Sequence, residues 1–424
     1  MIREKRSARR VVELDKARRP RENTADACGA RRAVIRFMAS LEQIVADLPV
    51  YREAAVRVRE LLLANLTLIG ETPAPTFGEH ARAEVMAERF AAAGLQACVV
   101  DGRDNASALL PGASGGPALL LAAHADTLPD DEPADIQLRS DRVLGPFVGD
   151  NAIALAALAT LPVLLDQLNI RPRYGLAFLA ASRTLGCGNL EGIRRHLAEC
   201  GTRYQGALCV ESFRLGRLNY ASIGILRGEI ACRLPDDYDW AQFGSTGTII
   251  PMADIISRIS RIPVPQRPLT TVIMGSVHGG IAPSNVARET TLGFEVRSES
   301  ADILRQVRAQ IDDVVEDVAA QSGKKVTLEV HAQRDPSALD IGHPLVRQGR
   351  AVIAGLGLTP ELYATTSMMA ALREAGVPAV TVGLTTGERR SELDEIDEYA
   401  DIEPMAAGLA QLVALVQAMD EGVE

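Results

Sequence analysis

From Met38 onward apolar residues recur at helical spacing, through Leu41, Ile44, Val45 and Leu48 and again through Val56, Val58, Leu61, Leu62 and Leu66, which predicts a helical opening. The segment Thr72-Pro73-Ala74-Pro75-Thr76 breaks that pattern as a loop. An amphipathic stretch over 79–93 then stops at Gly94, as a helix with a glycine after its last turn does. Short β-like runs follow at 97–100 and 118–123, the second apolar throughout and so expected to be buried on both faces. A helix over 152–168, a strand over 175–180, a helix over 190–200 and a strand over 206–210 continue the alternation. The predicted class is therefore α/β, a central mixed sheet flanked by helices.

Between residues 223 and 334 the pattern changes. A strand at 228–234, a helix at 249–259, strands at 269–277 and 290–296, a helix at 301–321 and a strand at 325–330 give the order βαββαβ, an inserted α+β unit. The chain then returns to α/β with helices near 344–356 and 367–375, a strand at 379–382 and a last helix at 404–419. The domain reading is a basic tail over 1–37, an α/β domain over 38–222 and 335–424, and the inserted unit over 223–334.

Composition narrows the class. The 424 residues are 47% hydrophobic and 24% charged, as in globular proteins rather than disordered or fibrous ones. The 14 uncharged residues of 152–165 include Pro162 and fall short of the ~20 that a membrane span needs, so they read as a buried helix. A formal net charge of −10 gives no global attraction for nucleic acid or anionic lipid, and neither is expected as a partner. The six cysteines show no CxxC pair and no secretory signal precedes them, so a cytoplasmic location is expected. Residues 1–36 carry 12 Lys/Arg against 5 Asp/Glu; those acids argue against a transit peptide, and the segment reads as a solvated or disordered arm.

Three groups stand at places where ligands gather in α/β sheets. His124 and Asp126 follow directly on the apolar run Leu119-Leu120-Leu121-Ala122-Ala123, and Glu211 ends the run Gly206-Ala207-Leu208-Cys209-Val210. Asp150 lies in Gly145-Pro146-Phe147-Val148-Gly149-Asp150-Asn151, where a glycine-containing turn enters an apolar helix and where a helix cap is the plain alternative. One imidazole and two carboxylates suit Zn²⁺ or another divalent ion, with Asp126 orienting the imidazole.

In this order the residues resemble the M20 family of zinc aminopeptidases, carboxypeptidases and deacylases, especially its tripeptide-aminopeptidase-like and carboxypeptidase-G2-like branches. The resemblance runs over about residues 50–420, through Pro73-Ala74-Pro75-Thr76-Phe77-Gly78-Glu79, His124-Ala125-Asp126-Thr127, Gly149-Asp150-Asn151, Glu211 with Leu215-Gly216-Arg217, Gly279-Gly280 with Asn285-Val286, and Arg297. It implies that the insertion is a lid and dimerisation domain. It implies His124, Asp150 and Glu211 as ligands of one metal, Asp150 as the bridge to a second, and Asp126 as the carboxylate supporting His124.

The rest of the family pattern is missing. Where the resemblance calls for a Glu-Glu pair, general base and second-metal ligand, this chain has Thr184 and Leu185 in Thr184-Leu185-Gly186-Cys187-Gly188-Asn189-Leu190. A threonine hydroxyl does not take a proton from metal-bound water near neutral pH as a carboxylate does, and leucine does not coordinate a cation. The family's last histidine ligand is absent, since none of the six histidines follows His343. Its place falls in 388–398, where Ser391 or Asp394 aligns with it and where a solvated acidic loop is the plainer reading. A lid histidine that polarises the scissile carbonyl is replaced by Tyr238 in Asp236-Asp237-Tyr238-Asp239-Trp240. Asn285 and Arg297 match lid positions that hold a substrate's polar end or carboxylate; for Arg297 an ion pair is an equal alternative.

These losses touch the base, the second metal and carbonyl polarisation together. The expectation is a non-hydrolytic binding or regulatory protein on a metallopeptidase scaffold. It would hold one Zn²⁺ (or other divalent ion) or none, bind a small peptide or amino-acid-derived ligand, and form a homodimer through the lid. The alternative is a metal-dependent hydrolase with ligands rebuilt through a residue such as Asp394, or a repurposed single-metal enzyme acting on a small peptide, an N-acyl amino acid or another amide. Cys187, in its glycine-flanked turn, is an unusual nucleophile candidate, although a packing cysteine is the simpler reading.

Overall fold

A computed structural model describes residues 40–128, 135–235, 246–392 and 395–422. The basic tail, Tyr238, Trp240 and Asp394 lie outside the described residues.

The apolar run that ends in His124 forms the strand Ala118–His124, buried at every position. Leu119, Leu121 and Ala123 join one hydrophobic cluster. Leu120 and Ala122 join a second cluster on the opposite face. Both faces are covered because the side-chain period of a strand is two and every position here is apolar. This strand sits within a seven-stranded sheet ordered Gln96–Val100, Ala106–Leu110, Leu176–Ala181, Ala118–His124, Tyr204–Phe213, Ala379–Thr385, Leu218–Asn219. The four strands from Leu176–Ala181 to Ala379–Thr385 run parallel, and the outer pairings are antiparallel. The sheet is mixed, as expected, and the carboxyl ends of its parallel strands share one edge.

The helix Ile153–Gln167 is apolar nearly all round because it is buried nearly all round, with Pro162 inside it. The segment Val148–Gln167 is long and apolar enough to cross a membrane, but 89% of its most apolar window is buried inside the molecule. It packs on the sheet with Met405–Glu421, whose buried face includes Leu409, Leu412, Val413 and Val416.

The elements Gly224–Arg233, Ile249–Ile259, Thr270–Gly279, Glu289–Ser298, Ala301–Ser322 and Lys325–Arg334 follow the order βαββαβ read from the sequence. Their strands form a four-stranded antiparallel sheet with Thr270–Gly279 at one edge. The two helices cover one face, and Ile255, Leu304, Val307 and Ile311 build a separate core there. The Ser300 side chain caps Ala301–Ser322 by accepting from Ile303 N–H, and Gly323 at φ 64° ends the helix.

Two expectations are corrected. The strand carrying Glu211 does not end before it: Tyr204–Phe213 continues two residues past the glutamate, because Ser212 and Phe213 still find partners. Ser212 N–H donates to Asn151 Oδ1, and Phe213 pairs with Thr385. The acidic stretch after Thr386 is not a solvated loop. Gly387–Glu392 and Glu395–Asp401 pair antiparallel and extend through Arg142–Leu144 to Gln137–Leu138 as a second small sheet.

Candidate metal centre

His124, Asp150 and Glu211 come together: each offers one ligand atom, and these atoms lie within 4.8 Å of one another. Parallel pairing puts this in reach, since Ala122 lies opposite Cys209 in adjacent strands and the next inward-pointing positions are His124 and Glu211. Asp150 arrives from a different element, a distorted turn at Val148–Ala152 that leads into Ile153–Gln167. The turn is held by Glu398, whose Oε2 accepts Gly149 N–H at 2.7 Å, and by Asn151, whose amide nitrogen donates to Val210 O at 3.1 Å. Asp150 is therefore not a helix cap; its carboxylate makes no capping bond and faces His124 instead.

The imidazole of His124 is buried with both nitrogens committed. Nδ1 lies 3.0 Å from the Asp126 carbonyl oxygen, an atom that only accepts, so the ring's Nδ1–H donates there. Nε2 then faces Asp150 Oδ1 at 3.0 Å. In a neutral ring this sets a nitrogen lone pair against a carboxylate oxygen, and only a positive centre, a second ring proton or a bound cation, reconciles the two. Burial opposes charge on His124, but Asp126, Asp150 and Glu211 outweigh it and hold its pKa well above the ordinary value. Burial alone would raise the Asp150 pKa, yet His124 and Arg389 bring it below the usual carboxylate range. Burial pushes Glu211 up, with His124 and Arg217 offsetting part of the shift. The donor set of one imidazole and two carboxylates fits a single divalent ion.

Asp126 supports this arrangement differently from the expectation. The contact to the imidazole is made by its main-chain oxygen, while its carboxylate Oδ1 stays 3.6 Å from Nδ1. The other oxygen, Oδ2, accepts from Thr76 Oγ1 and from the main-chain N–H groups of Thr184 and Leu185 at 3.0, 2.8 and 2.7 Å. A buried guanidinium braces the same loop: Arg82 donates to Thr72 O and Ala125 O, and the Asp126 charge partly offsets the burial that lowers its pKa to about 10. Asp126 is thus a hub that fixes the turn where the base would stand.

Among the described residues no second group of ligands stands beside the triad. Thr184 and Leu185 bring no carboxylate, and Thr184 Oγ1 donates back to Ser182 O. The second oxygen of Asp150 is taken by a side chain: Arg389 Nη1 donates to Asp150 Oδ2 at 3.0 Å. Across the strand pair Arg389 lies opposite Glu398, with Nε 3.2 Å from Glu398 Oε1. A guanidinium thus holds the Asp150 oxygen that His124 leaves free.

No family model matches the sequence, and no curated protein does. Solved structures do match. Aminopeptidase PepT from Bacillus cereus is 17% identical, with a TM-score of 0.65 over 85% of this chain and 98% of that one. The dipeptidase Dug1p from Saccharomyces cerevisiae is 12% identical, with a TM-score of 0.71 over 89% and 99%. Bacillus subtilis YXEP, described as a dinuclear metal-binding peptidase of the M20 family, is 16% identical, with a TM-score of 0.60 over 87% and 99%. The chain has the M20 peptidase fold. On that fold the site lies at the carboxyl edge of the parallel strands, as the sequence placed it.

Other expected site residues are more scattered. Arg297 lines a cavity of about 400 Å³ together with Asp150 and Glu211, and it also pairs with Glu295. Asn285 is exposed on the connection after Thr270–Gly279, bonded to Ser284, and does not line that cavity. Cys187 is exposed and lines a different cavity of about 390 Å³ against the four-stranded sheet, with Arg227 and Glu295. The sequence reading missed Arg389, Glu398, Arg214 and Tyr363, all of which line the cavity of the triad. Their signal is weak in the chain, since a charged residue in an alternating polar stretch reads as surface.

Proposed function

We propose that this chain is a one-ion binding or regulatory protein on an M20 peptidase scaffold, which does not hydrolyse peptides by the family's two-metal route. What carries this reading is Arg389: its guanidinium on Asp150 Oδ2, beside Thr184 and Leu185 in place of carboxylates, stands against a second ion. His124, Asp150 and Glu211 would hold one divalent ion, which when bound would act as a Lewis acid toward a ligand's oxygen or carboxylate. The chain's own residues supply positioning: the Asp126 carbonyl fixes the His124 ring, and Arg82 and Asp126 lock the turn. None of Thr184, Leu185 or Arg389 can act as the carboxylate base that hydrolysis on this scaffold requires, and lacking a positioned base costs about 10²–10⁴ in rate.

The proposal extends to a small peptide or amino-acid-derived ligand, to a homodimer formed through the four-stranded sheet unit as lid, and to a reducing, cytoplasmic setting.

The test is a hydrolysis screen of di- and tripeptides and N-acyl amino acids with zinc-loaded protein, alongside thermal stabilisation by the same compounds. The expected result is stabilisation without turnover. Metal-dependent hydrolysis that is lost in Thr184→Ala would overturn the reading and establish a repurposed single-metal enzyme.

A further inference from the structure

The cavity beside the triad is unusually cationic. Arg214, Arg217, Arg297 and Arg389 all line its roughly 400 Å³, a volume within the range of small-molecule sites. Two of these have carboxylate partners: Arg297 with Glu295, and Arg389 with Asp150 and Glu398. Arg214 and Arg217 have no salt bridge among the described residues, although Arg217 acts on Glu211 from a longer range. Among the described residues their polar contacts are neutral, Arg214 Nη1 to the Tyr363 hydroxyl at 3.1 Å and Arg217 Nε to Asn219 Oδ1 at 2.6 Å. Both guanidinium groups lie over the same Tyr363 ring, 5.4 and 5.9 Å from its centroid. One aromatic ring thus gathers two guanidinium groups that have no salt bridge at one wall of the cavity, an arrangement whose mutual repulsion an anion relieves.

The opposing charges are already committed. The cavity's three carboxylates are Asp150, Glu211 and Glu398. The first two belong to the triad, and Glu398 is fully buried and bonded to Gly149 N–H. With Arg297 matched by Glu295 outside the cavity, the other three guanidinium groups balance the three carboxylates, and a divalent ion on the triad leaves an excess of two positive charges. A neutral ligand leaves all of that unmatched and a singly charged one leaves half.

We propose that this cavity binds a small dianion, a dicarboxylate or a phosphate, through Arg214 and Arg217. This rests on the preceding reading of the cavity as a ligand site and goes beyond it by naming the ligand's charge. Planar guanidinium groups supply paired N–H donors to carboxylate and phosphate oxygens, and Tyr363 holds two of them in place before the ligand arrives.

The experiment is calorimetric titration of the full chain, metal-free and zinc-loaded, with succinate, inorganic phosphate and acetate at matched ionic strength and mildly alkaline pH. Succinate or phosphate is expected to bind about tenfold or more tighter than acetate, and the two arms separate a carboxylate from a phosphate ligand. The Arg214→Gln/Arg217→Gln variant is expected to lose that preference, and Arg214→Lys/Arg217→Lys to keep part of it. Equal binding of succinate, phosphate and acetate by the unaltered protein would overturn the proposal, whatever the variants do. So would a preference that survives in a folded Gln/Gln variant. Either failure leaves the one-ion reading standing, and hydrolytic turnover would overturn that reading without touching the dianion preference.

Discussion

At the scale of single residues, the centre depends on which atoms face which. His124 meets Asp126 through a carbonyl and Asp150 through a carboxylate, so its ring is oriented before any ion arrives. His124→Ala or Glu211→Gln is expected to reduce bound zinc from one ion per chain to a small fraction of that, read by mass spectrometry on zinc-loaded, desalted protein, with the zinc-induced rise in melting temperature lost in parallel. Arg82 acts at one remove. It is almost fully buried, and removing it strands the Thr72 and Ala125 carbonyls and the Asp126 carboxylate without their cation. Arg82→Met is expected to cost roughly 3 kcal/mol or more in urea unfolding, because unpaired buried acceptors carry the full desolvation penalty. A cost below about 1 kcal/mol would show that solvent reaches those groups.

At the scale of elements, the strand pair Gly387–Glu392 and Glu395–Asp401 does what a loop would not: it holds Arg389 against Asp150 and Glu398 against Gly149. For this reason carboxylates returned at Thr184 and Leu185 are not expected to rebuild the family site. Thr184→Glu/Leu185→Glu is expected to bind one zinc ion per chain, the same number expected of the unaltered protein, and to show no turnover; two ions would mean that Arg389 yields its place. The neighbouring strand Ala379–Thr385 is fitted closely to the one carrying Glu211. A Cβ at Gly383 would stand 2.3 Å from the main-chain oxygens of Phe213 and Arg214. Gly383→Ala is therefore expected to destabilise the protein by about 1–3 kcal/mol and to weaken dianion binding by shifting Arg214, both measurable on the same preparation.

At the scale of the whole molecule, alternating strands and helices, the apolar strand interiors and the βαββαβ insertion were all legible in the chain, because hydrophobic period reports directly on how many faces of an element are covered. Strand and helix ends were less so: Tyr204–Phe213 runs on past Glu211 because partners in other elements extend it. Burial also ties stability to pH through Glu398. Burial is the main cause that pushes its pKa up to about 7 from an ordinary 4.5, with the Gly149 N–H and Arg389 offsetting part of the rise. Since the folded state keeps this proton longer than the unfolded one, the group's contribution is fully present below pH 4.5 and is lost as pH rises toward about 7. In metal-free protein, the melting-temperature difference between unaltered protein and Glu398→Gln is expected to shift against the unaltered protein over that interval; a constant difference would show that Glu398 ionises normally.

The triad shows where the two kinds of information divide. His124, Asp150 and Glu211 were readable from the chain because each follows a strong local signal, an apolar strand or a glycine-containing turn, and the sheet edge that gathers such positions follows from the alternation itself. The departures from the family pattern were equally readable, since Thr184, Leu185 and the lack of histidine after His343 are matters of identity. The side chain that meets the other oxygen of Asp150 was not. Arg389 reaches Asp150, 239 positions away, and Arg214 and Arg217 share one ring with Tyr363, 149 positions from the first of them. Charged side chains carry no periodic signature of their partners, because a guanidinium suits solvent as well as a pocket. Only the closing of strands from distant parts of the chain around one cavity decides which of them meet.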